Sequence, residues 1–365
     1  MDIDFADLLM EVVSRRASDL HLTAGSRPVV RVRGRLTRLE EYPKLTPSDT
    51  REIVYSILTG DQRQRLETDW QFDFAYSIPG HARFRVNAYF QRGALGAAFR
   101  LIPYGLSSIE ELGLPAAVHE FTRRPRGFVL VTGPTGSGKS TSLAAMIDEI
   151  NNTREEHIMT IEDPIEFLHS HKKCMVNQRE LGSDAQSFAD ALKAALRQDP
   201  DIILVGEMRD LETISTALTA AETGHLVFAT LHTQDTAQTI DRIIDVFPAH
   251  QQGQVRVQLS VALQGIMTQQ LLPTADGAGR VVATEVLVPN PAVRNLIREG
   301  KTHQIYSVLQ TSSSVGMQTM DASLATLVRQ GKITQKLAEA RSSTPEELRR
   351  LLGAERLEMG QQVAA

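Results

Sequence analysis

The sequence predicts an α/β protein in which a mostly parallel sheet is covered by helices on both faces. Apolar runs of strand length, at 128–132, 158–161, 202–205 and 226–230, alternate with helical segments from Gly127 onward. A glycine-rich loop, Gly133–Thr141, separates the first run from a helical pattern. The residues before this region alternate with a period of two instead, and they predict a separate strand-rich domain.

The chain has 365 residues, which is longer than one ordinary core, so two or three domains are expected. The pattern breaks at Ile102–Gly105, and Pro115 and Pro125 bound short helical segments after it. We predict an amino-terminal α+β domain over 1–104, a linker over 105–126, a nucleotide-binding domain over 127–290, a helical region over 291–355 and a flexible tail over 356–365.

Composition excludes several classes of protein. Hydrophobic residues make up 42% and charged residues 23%, which is typical of a globular protein and not of a disordered one. No apolar run is long enough to cross a bilayer and the first residues are acidic, so we expect a cytoplasmic protein. The single cysteine, Cys174, excludes an internal disulfide framework and a multi-cysteine zinc site, and a net charge of −5 argues against a direct nucleic-acid partner.

The glycine-rich loop fits the phosphate-binding pattern G-x-x-x-x-G-K-[ST] at every fixed position. Its glycines allow a tight curl in which successive N–H groups point into one concavity, where a polyphosphate can accept from them. Lys139 would reach the β- and γ-phosphates, and the Ser140 hydroxyl would bind Mg²⁺. The predicted nucleotide-binding residues are Gly133, Pro134, Thr135, Gly136, Ser137, Gly138, Lys139, Ser140 and Thr141.

Acidic residues and a histidine follow the other predicted strands at the edge where ligands bind to parallel sheets. Glu162, Asp163 and Glu166 follow the second strand, and Glu207 follows the third. His232 follows the fourth strand, whereas His225 stands at that strand's other end. Phosphoryl transfer to water needs a metal, an acid that orients the water and a group that senses γ-phosphate charge, and these residue types supply all three.

The amino-terminal segment predicts a helix that ends near Arg16, a pair of short strands joined at Gly25 and a helix over 46–58. A strand-rich block follows, in which Trp70, Phe72, Phe74 and Tyr76 begin a set of alternating apolar residues that is expected to form one buried face. Arg83 and Arg85 then project from the opposite face. The sequence alone favours a solvated sheet face for them, and the alternative is a pair of arginine fingers that reach a phosphate in a neighbouring subunit.

Beyond His232 the pattern predicts two helices, one more strand pair between Val281 and Val288, and further helices near 291–299 and 321–329.

Taken together, the phosphate loop, the acidic residues 162–166, the segment 206–210 and the two histidines closely resemble the retraction ATPases of bacterial type IV pili, within the secretion ATPase family. The likeness also includes segments 17–22, 83–87, 294–300 and 316–321. It implies a PAS-like amino-terminal domain joined to a RecA-like P-loop ATPase domain with a helical carboxy-terminal end. It further implies a homohexameric ring that uses ATP and Mg²⁺ to drive pilus retraction and twitching motility.

The resemblance also implies roles for individual residues. Glu166 matches the essential glutamate of the family's aspartate box, Glu207 matches its Walker B glutamate, and His225 and His232 match its histidine box. In the family, arginines of the amino-terminal domain complete the nucleotide site, so the resemblance favours Arg83 and Arg85 for this role. Arg100, Arg209 and Arg242 are weaker candidates for it. We expect Glu207 to activate water and the 162–166 group to position metal and water. Ser140, Glu162 and Glu207 are the candidate Mg²⁺ ligands, and which acid serves the metal stays open because Gly206 stands where an aspartate is usual.

The implied partners are other copies of the chain, an inner-membrane pilus platform protein and a paralogous retraction ATPase. The protein would therefore be peripheral to the inner membrane at the pilus base. Four alternatives are considered: an accessory retraction paralogue, a pilus-assembly or type II secretion ATPase, a nucleic-acid translocase on a RecA-like core and a nucleotide-gated scaffold. The second of these usually carries a longer amino-terminal region and a four-cysteine zinc element, whereas this chain has one cysteine.

Overall fold

A computed structural model describes residues 4–78, 81–102 and 105–362, with side chains described as far as residue 353. The chain divides into two units, Met1–Gly105 with Glu166–Leu168, and Leu106–Ile165 with His169–Ala365. No described helix is both long and apolar enough to cross a membrane.

The first unit is an α+β fold built on one antiparallel sheet. Its elements are α1 (Phe5–Ser14), β1 (Asp19–Leu22), β2 (Val29–Val32), β3 (Arg35–Arg38), α2 (Pro47–Ser56), α3 (Gly60–Asp69), β4 (Gln71–Ile78), β5 (Ala82–Gln91) and β6 (Ala94–Ile102). The strand order is β3-β2-β1-β6-β5-β4. The predicted helix over 46–58 is confirmed as α2, which begins with a capping box between Thr46 and Asp49.

The predicted alternation on the strands of this sheet is confirmed, with one exception. On β5, Phe84 and Val86 are buried in the core while Arg85 between them is exposed. The prediction that Trp70 belongs to the buried face is wrong, because its side chain is 72% exposed. Trp70 ends α3 with φ 61°, and this left-handed conformation takes it out of the strand that begins at the next residue.

The second unit is a mixed α/β fold. Its elements are α4 (Ala117–Thr122), β7 (Gly127–Thr132), α5 (Lys139–Thr153), β8 (His157–Glu162), β9 (Met175–Glu180), α6 (Phe188–Ala195), β10 (Ile202–Val205), α7 (Leu211–Glu222), β11 (Leu226–Leu231), α8 (Thr236–Asp245), α9 (Ala249–Ala262), β12 (Leu263–Pro273), β13 (Arg280–Leu287), α10 (Pro291–Glu299), α11 (Ile305–Thr311), α12 (Met320–Arg329), α13 (Gln335–Arg341) and α14 (Pro345–Gln362). Short 3₁₀ turns lie at Thr302–Gln304 and Ser313–Val315.

The sheet of this unit has the strand order β13-β12-β7-β11-β10-β8-β9. All neighbouring strands pair in parallel except β13, which is antiparallel to β12. On β7, Phe128 and Leu130 enter one apolar cluster while Val129 and Val131 enter another on the opposite face. The four apolar strands predicted from the sequence are therefore confirmed, together with their burial on both faces.

The predicted strand pair between Val281 and Val288 is wrong. This segment forms the single strand β13, whose partner is β12, and β12 was not predicted. Helix α9 passes into β12 without a turn, because Leu263 adopts an extended conformation at φ −63° and ψ 126°. No proline marks that change, the one nearby glycine, Gly265, comes two residues after it, and the polar residues within the strand obscure its apolar pattern.

Residues 106–126, predicted as a linker, are folded into the second unit. Val118 and Phe121 of α4 are fully buried in the same apolar cluster as Met146 and Ile147 of α5. The Phe121 ring lies where a side chain at Gly265 would be, because a Cβ there would stand 2.3 Å from the ring. This segment therefore packs on α5, the helix that follows the phosphate loop.

A buried carboxylate joins the carboxy-terminal helices. The Asp321 side chain on α12 is 1% exposed. Its Oδ1 accepts a hydrogen bond from the Ser342 hydroxyl at 2.5 Å, and its Oδ2 accepts from the Thr344 N–H at 3.1 Å. Because both donors lie between α13 and α14, this one side chain fixes both helices to α12.

We expect Asp321→Asn to destabilise the carboxy-terminal helices by about 1–3 kcal/mol, because an amide N–H₂ would replace one of the two acceptors. A lower urea midpoint of unfolding, relative to the unsubstituted chain, measures this change. Asp241→Asn, at an exposed position on α8, is the matched control. Equal midpoints for the two variants would contradict the role of Asp321.

Candidate active site

The phosphate loop lies between β7 and α5 and has the backbone that an anion site requires. Gly133, Gly136 and Gly138 have φ values of 138°, 78° and 90°, in the region that glycine alone adopts readily. Gly138 is the amino-terminal cap of α5, and no side chain caps this helix. The first N–H groups of α5 are therefore left to an acceptor outside the helix, at the positive end of its dipole.

Lys139 is held inside this loop. Its side chain is 9% exposed, and its ammonium donates hydrogen bonds to the Gly133 carbonyl at 2.8 Å and the Pro134 carbonyl at 3.1 Å. A buried ammonium beside the uncapped first turn of α5 concentrates positive charge at this end of the helix. The predicted loop residues are thus brought together between β7 and α5.

Gln269 on β12 also holds the phosphate loop, and it was not identified from the sequence. Its Nε2 donates to the Ser137 carbonyl at 2.6 Å, and its side chain is 1% exposed. A Cβ at Gly133 would stand 2.3 Å from the Gln269 carbonyl oxygen, so loop and strand are in close contact. Gln269 could have been identified only from the position of β12 next to β7 in the sheet.

Buried hydroxyl groups connect the floor of the loop to the segment after β11. The Thr132 hydroxyl at the end of β7 lies 2.7 Å from that of Thr268 on β12 and 3.5 Å from that of Thr239 on α8. The Thr239 hydroxyl lies 2.6 Å from that of Thr233, the residue after His232. The phosphate loop and the His232 segment are therefore joined by hydrogen bonds as well as by strand pairing.

The parallel strands bring most of the predicted residues to one edge of the sheet. The phosphate loop follows β7, His232 follows β11, Glu207 follows β10, and Glu162 ends β8. Because these strands are successive neighbours about 4.8 Å apart, Glu207 stands about 10 Å from the phosphate-loop strand and Glu162 about 14 Å. Glu207 and His232 are thus nearer the phosphates than Glu162 is.

Glu207 forms a compact charged group with Arg209 and His232. The Arg209 Nε and Nη2 donate to its two carboxylate oxygens at 2.6 and 2.7 Å, and the His232 Nε2 lies 3.0 Å from Oε1. Burial alone would raise the pKa of Glu207, but Arg209 and His232 outweigh that effect and lower the pKa below its usual range. Glu207 is therefore an ionised acceptor throughout the neutral range.

The presence of glycine at position 206, between β10 and Glu207, is explained by close contacts with β8. A Cβ at this position would stand 3.2 Å from the Glu162 Cα and from the Ile161 carbonyl oxygen. The end of β10 therefore lies against the end of β8, and a side chain here would require the neighbouring backbone to shift by a few tenths of an ångström. The acidic residue therefore stands at position 207, one residue after the glycine that follows the strand.

The other acids of the 162–166 group are spread out. The Glu162 Oε1 accepts from the Thr160 hydroxyl at 2.6 Å and from the Gln178 Nε2 at 3.2 Å. Asp163 is exposed and precedes a cis peptide bond to Pro164. Glu166 is exposed and belongs to the first unit, so its place at the nucleotide site stays a prediction.

The structure separates the two histidines. His225 precedes β11 at the amino edge of the sheet, where its carbonyl accepts from the Gly127 N–H at 2.9 Å and its ring Nδ1 lies 3.0 Å from the Ala220 carbonyl. Six strand residues separate it from His232, a distance of about 20 Å. His225 is therefore not brought to the phosphate loop of its own subunit.

Arg83 and Arg85 lie on β5 of the first unit, on the face opposite to its core. The Arg83 Nη1 donates to the Ser77 hydroxyl at 3.2 Å, and Arg85 is exposed and pairs in register with Arg100 of β6. Arg100 in turn donates to Asp19 at 3.0 Å. The predicted parallel projection of the two arginines is confirmed, and their reach to a phosphate stays a prediction.

A cleft of about 340 Å³ opens beside the phosphate loop. Ser137, Gly138 and Thr141 form one wall, and apolar side chains, Leu112, Leu114, Leu271 and Val282, form much of the rest. Glu111, Ser142, Gln269 and Arg280 also line it, so the cleft beside the anion site offers both apolar side chains that can contact a flat heterocycle and polar or charged groups.

Comparison with known proteins places the chain in a family. Residues 3–341 match the family model described as type II/IV secretion system protein. The chain belongs to this family. It is 52% identical over 344 residues to the type IV pilus retraction ATPase PilT of Pseudomonas aeruginosa, covering 94% of this chain and 99% of the relative. It is 43% identical over 350 residues to the type IV pilus ATPase PilU of the same organism, covering 96% of this chain and 91% of the relative.

A solved structure described as the pilus retraction motor PilT with bound ADP superposes with a TM-score of 0.90 at 53% identity. The match covers 96% of this chain and 100% of the solved one. The resemblance to pilus retraction ATPases inferred from sequence motifs is therefore confirmed, and so is an α/β architecture with mixed sheets.

We expect Gln269→Ala to weaken ADP binding at least tenfold, because it removes the buried amide that holds the Ser137 carbonyl. Fluorescence titration with a labelled ADP measures the dissociation constant. Gln264→Ala, at the other end of the same strand, is the matched control and should bind ADP normally. Normal ADP affinity in the Gln269 variant would show that β12 does not shape the loop.

Proposed function

We propose that the chain is an ATPase motor that hydrolyses ATP to drive retraction of type IV pili. The observation that carries this proposal is a phosphate loop whose neighbouring strands present Glu207 and His232 at the same edge, in a chain 52% identical to a pilus retraction ATPase across 94% of its length. The same similarity supports twitching motility as the cellular process.

The residues around the phosphate loop fit a nucleoside triphosphate. The uncapped first turn of α5 supplies N–H donors, and Lys139 supplies a positive charge at the β- and γ-phosphates. The apolar cleft beside Thr141 takes the adenine ring, which would lie next to Leu271 and Val282. ATP, when bound, supplies the phosphoanhydride bond whose hydrolysis is coupled to movement.

Mg²⁺ fits this site through few protein ligands. Among residues 4–78, 81–102 and 105–353, no group of three or more His, Cys, Asp or Glu side chains is arranged to hold a metal ion. Mg²⁺ at nucleotide sites is typically held by one or two protein oxygens together with phosphate oxygens and water. Ser140 is the proposed direct ligand, with Glu207 or Glu162 acting on the metal's water shell.

Glu207 is the proposed base that orients and deprotonates the attacking water. Its carboxylate is ionised, partly buried and closer to the phosphate loop than the acids of β8. His232 contacts it directly, and we assign to His232 the sensing of γ-phosphate charge. Arg209 donates to both carboxylate oxygens, so this exposed guanidinium competes with water for Glu207.

The remaining parts of the proposal concern assembly. The first unit, up to residue 104, is assigned as PAS-like. The second is assigned as RecA-like with residues 106–126 included, a helical end from 291 to 355 and a tail after it, and six copies form a ring. Arg83 and Arg85 would approach the phosphates of a neighbouring subunit, and Glu166 would act with them. His225 would act only across such an interface, since it lies about 20 Å from its own His232.

The proposed partners are an inner-membrane pilus platform protein and a paralogous retraction ATPase, and the motor would work at the cytoplasmic side of the inner membrane. The principal retraction enzyme is favoured over the accessory paralogue, because identity is 52% to PilT and 43% to PilU. A nucleic-acid translocase would instead show ATPase activity stimulated by DNA with a steep dependence on salt. A nucleotide-gated scaffold would release no phosphate in the steady state.

We expect Lys139→Ala and Glu207→Gln to stop ATP turnover for different reasons. The lysine variant loses ATP affinity because it lacks the buried ammonium, whereas the glutamine variant binds ATP and hydrolyses it about 10²–10⁴-fold more slowly. Phosphate release and binding of a labelled ATP analogue measure the two quantities separately. Loss of ATP binding in Glu207→Gln would assign this residue to the metal instead of to the water.

We expect the gene to restore twitching in a strain that lacks its principal retraction ATPase, and the Glu207→Gln variant to fail. The measured quantities are colony expansion at a surface and the amount of surface pili, which should fall when retraction returns. A strain that lacks only the accessory paralogue is the comparison. Rescue of that strain alone would favour the accessory function.

A further inference from the structure

Four arginines lie close together on the second unit, away from the phosphate loop. Arg294 and Arg298 are one turn apart on α10, and Arg256 lies on α9, which packs against α10. Arg256 faces the end of α10, since a Cβ at Gly300 would stand 3.4 Å from its Nε. Arg124 stands three residues before β7, near enough to Arg294 to affect its titration.

This group has positive charge without an ion-paired acid, because Glu299, whose pKa is lowered by its hydrogen bond to Lys301 and also by the charge of Arg298, pairs with Lys301 at 2.8 Å. None of the four arginines forms an ion pair with any carboxylate in the described part of the chain. The Nε atoms of Arg124 and Arg256 are buried, and neither has a hydrogen-bond partner among the residues that the structure describes. Burial lowers the pKa of Arg294, and the charges of Arg124 and Arg298 lower it further. Such crowding of like charges costs stability unless an anion relieves it.

Two exposed valines lie beside the arginines. Val257 and Val261 are one turn apart on α9 and are 51% and 59% exposed. Arg294 is fixed next to them, because its Nη1 donates to the Ser260 carbonyl at 2.5 Å and the Val261 carbonyl at 3.0 Å. Arginine together with exposed apolar side chains is the composition of protein–protein interfaces.

The shape of this surface argues against a small inorganic anion as its ligand. Anion sites for phosphate use converging backbone N–H groups or a helix amino terminus. Here the arginines are spread over two helices and a loop, and Arg294 lies against the carbonyl groups at the carboxyl end of α9, where no free N–H groups converge. An elongated ligand with several separate negative charges fits this arrangement better.

We propose that the α9–α10 patch, made of Arg124, Arg256, Val257, Val261, Arg294 and Arg298, binds an acidic segment of a partner protein. Carboxylates of that segment pair with the guanidinium groups, and an apolar side chain covers the two valines. The patch lies at the amino edge of the sheet, because α9 leads directly into the start of β12 beside the start of β7. The length of β7 therefore separates it from the phosphate loop by about 20 Å.

The partner surface and the nucleotide site are thus distinct, and the proposal stands whether or not the chain is a pilus motor. An acidic segment bound at the patch would leave the phosphate loop open. It would relieve the crowding of Arg294 and bury apolar area at the two valines in the same contact.

The test is selection from an unbiased library of random short peptides displayed on phage, with the full chain as bait. We expect enriched peptides to carry net negative charge and at least one large apolar residue. An enriched peptide, synthesised with a fluorescent label, should bind by anisotropy with an affinity that falls as salt rises. Replacing its acidic residues by amides should weaken binding at least tenfold.

Two pairs of variants locate the binding surface. Arg256→Glu with Arg298→Glu, and separately Val257→Ser, should each weaken the peptide at least tenfold while leaving the thermal midpoint and ATP turnover unchanged. Arg341→Glu and Val315→Ser, at exposed positions elsewhere in the unit, are the matched controls and should bind normally. The valine variant keeps the test decisive if the double charge reversal does not fold.

Three outcomes would overturn the proposal. Selected peptides without excess negative charge would exclude an acidic segment. Equal loss of affinity in the control variants would place binding elsewhere. Failure to enrich acidic peptides, with the Arg256 and Arg298 substitutions instead abolishing self-association or binding to phosphatidylglycerol vesicles, would assign the patch to a second copy of the chain or to a lipid surface.

Discussion

The parallel pairing of β7, β11, β10 and β8 is the constraint on which the rest of the second unit depends. Backbone hydrogen bonds fix the register of these strands, so their carboxyl ends form a single edge. A loop, a histidine and two acids distant in sequence are therefore brought to the same edge of the sheet by strand pairing, and side-chain contacts then add to it. Both faces of the strands must then be apolar, and the clusters on either side satisfy that requirement.

Local contacts refine what this edge brings together. A hydrogen bond from Gln269 holds the phosphate loop against β12. Hydroxyl groups connect the floor of the loop to the segment that carries His232. Arg209 and His232 keep Glu207 ionised despite partial burial. The site thus combines the glycine-rich phosphate loop with an acid, Glu207, whose charge is balanced by the exposed side chain of Arg209. Binding and chemistry are assigned to different strands of one sheet.

The sequence predicts the parts of this site that obey local rules. The phosphate loop and the four apolar strands are recognisable because glycine spacing and continuous apolar runs have few alternative explanations. Gln269 could not be found, because its importance depends on a strand neighbour and not on its own segment. Trp70 was misplaced because a left-handed helix end leaves no mark in the alternation. His225 and His232 belong to one family motif, but the predicted strand between them already places them at opposite edges of the sheet.

The direct passage from α9 into β12 has a mechanical consequence. Residues 249–273 run from helix to strand without an intervening loop, although the pairing of β12 with β7 is irregular between Leu263 and Gly265. Arg256 and the exposed valines lie in the carboxyl-terminal half of the helix, and Gln269 on the strand holds the phosphate loop. A displacement of the helix is therefore passed along the backbone to the strand that contacts the phosphate loop.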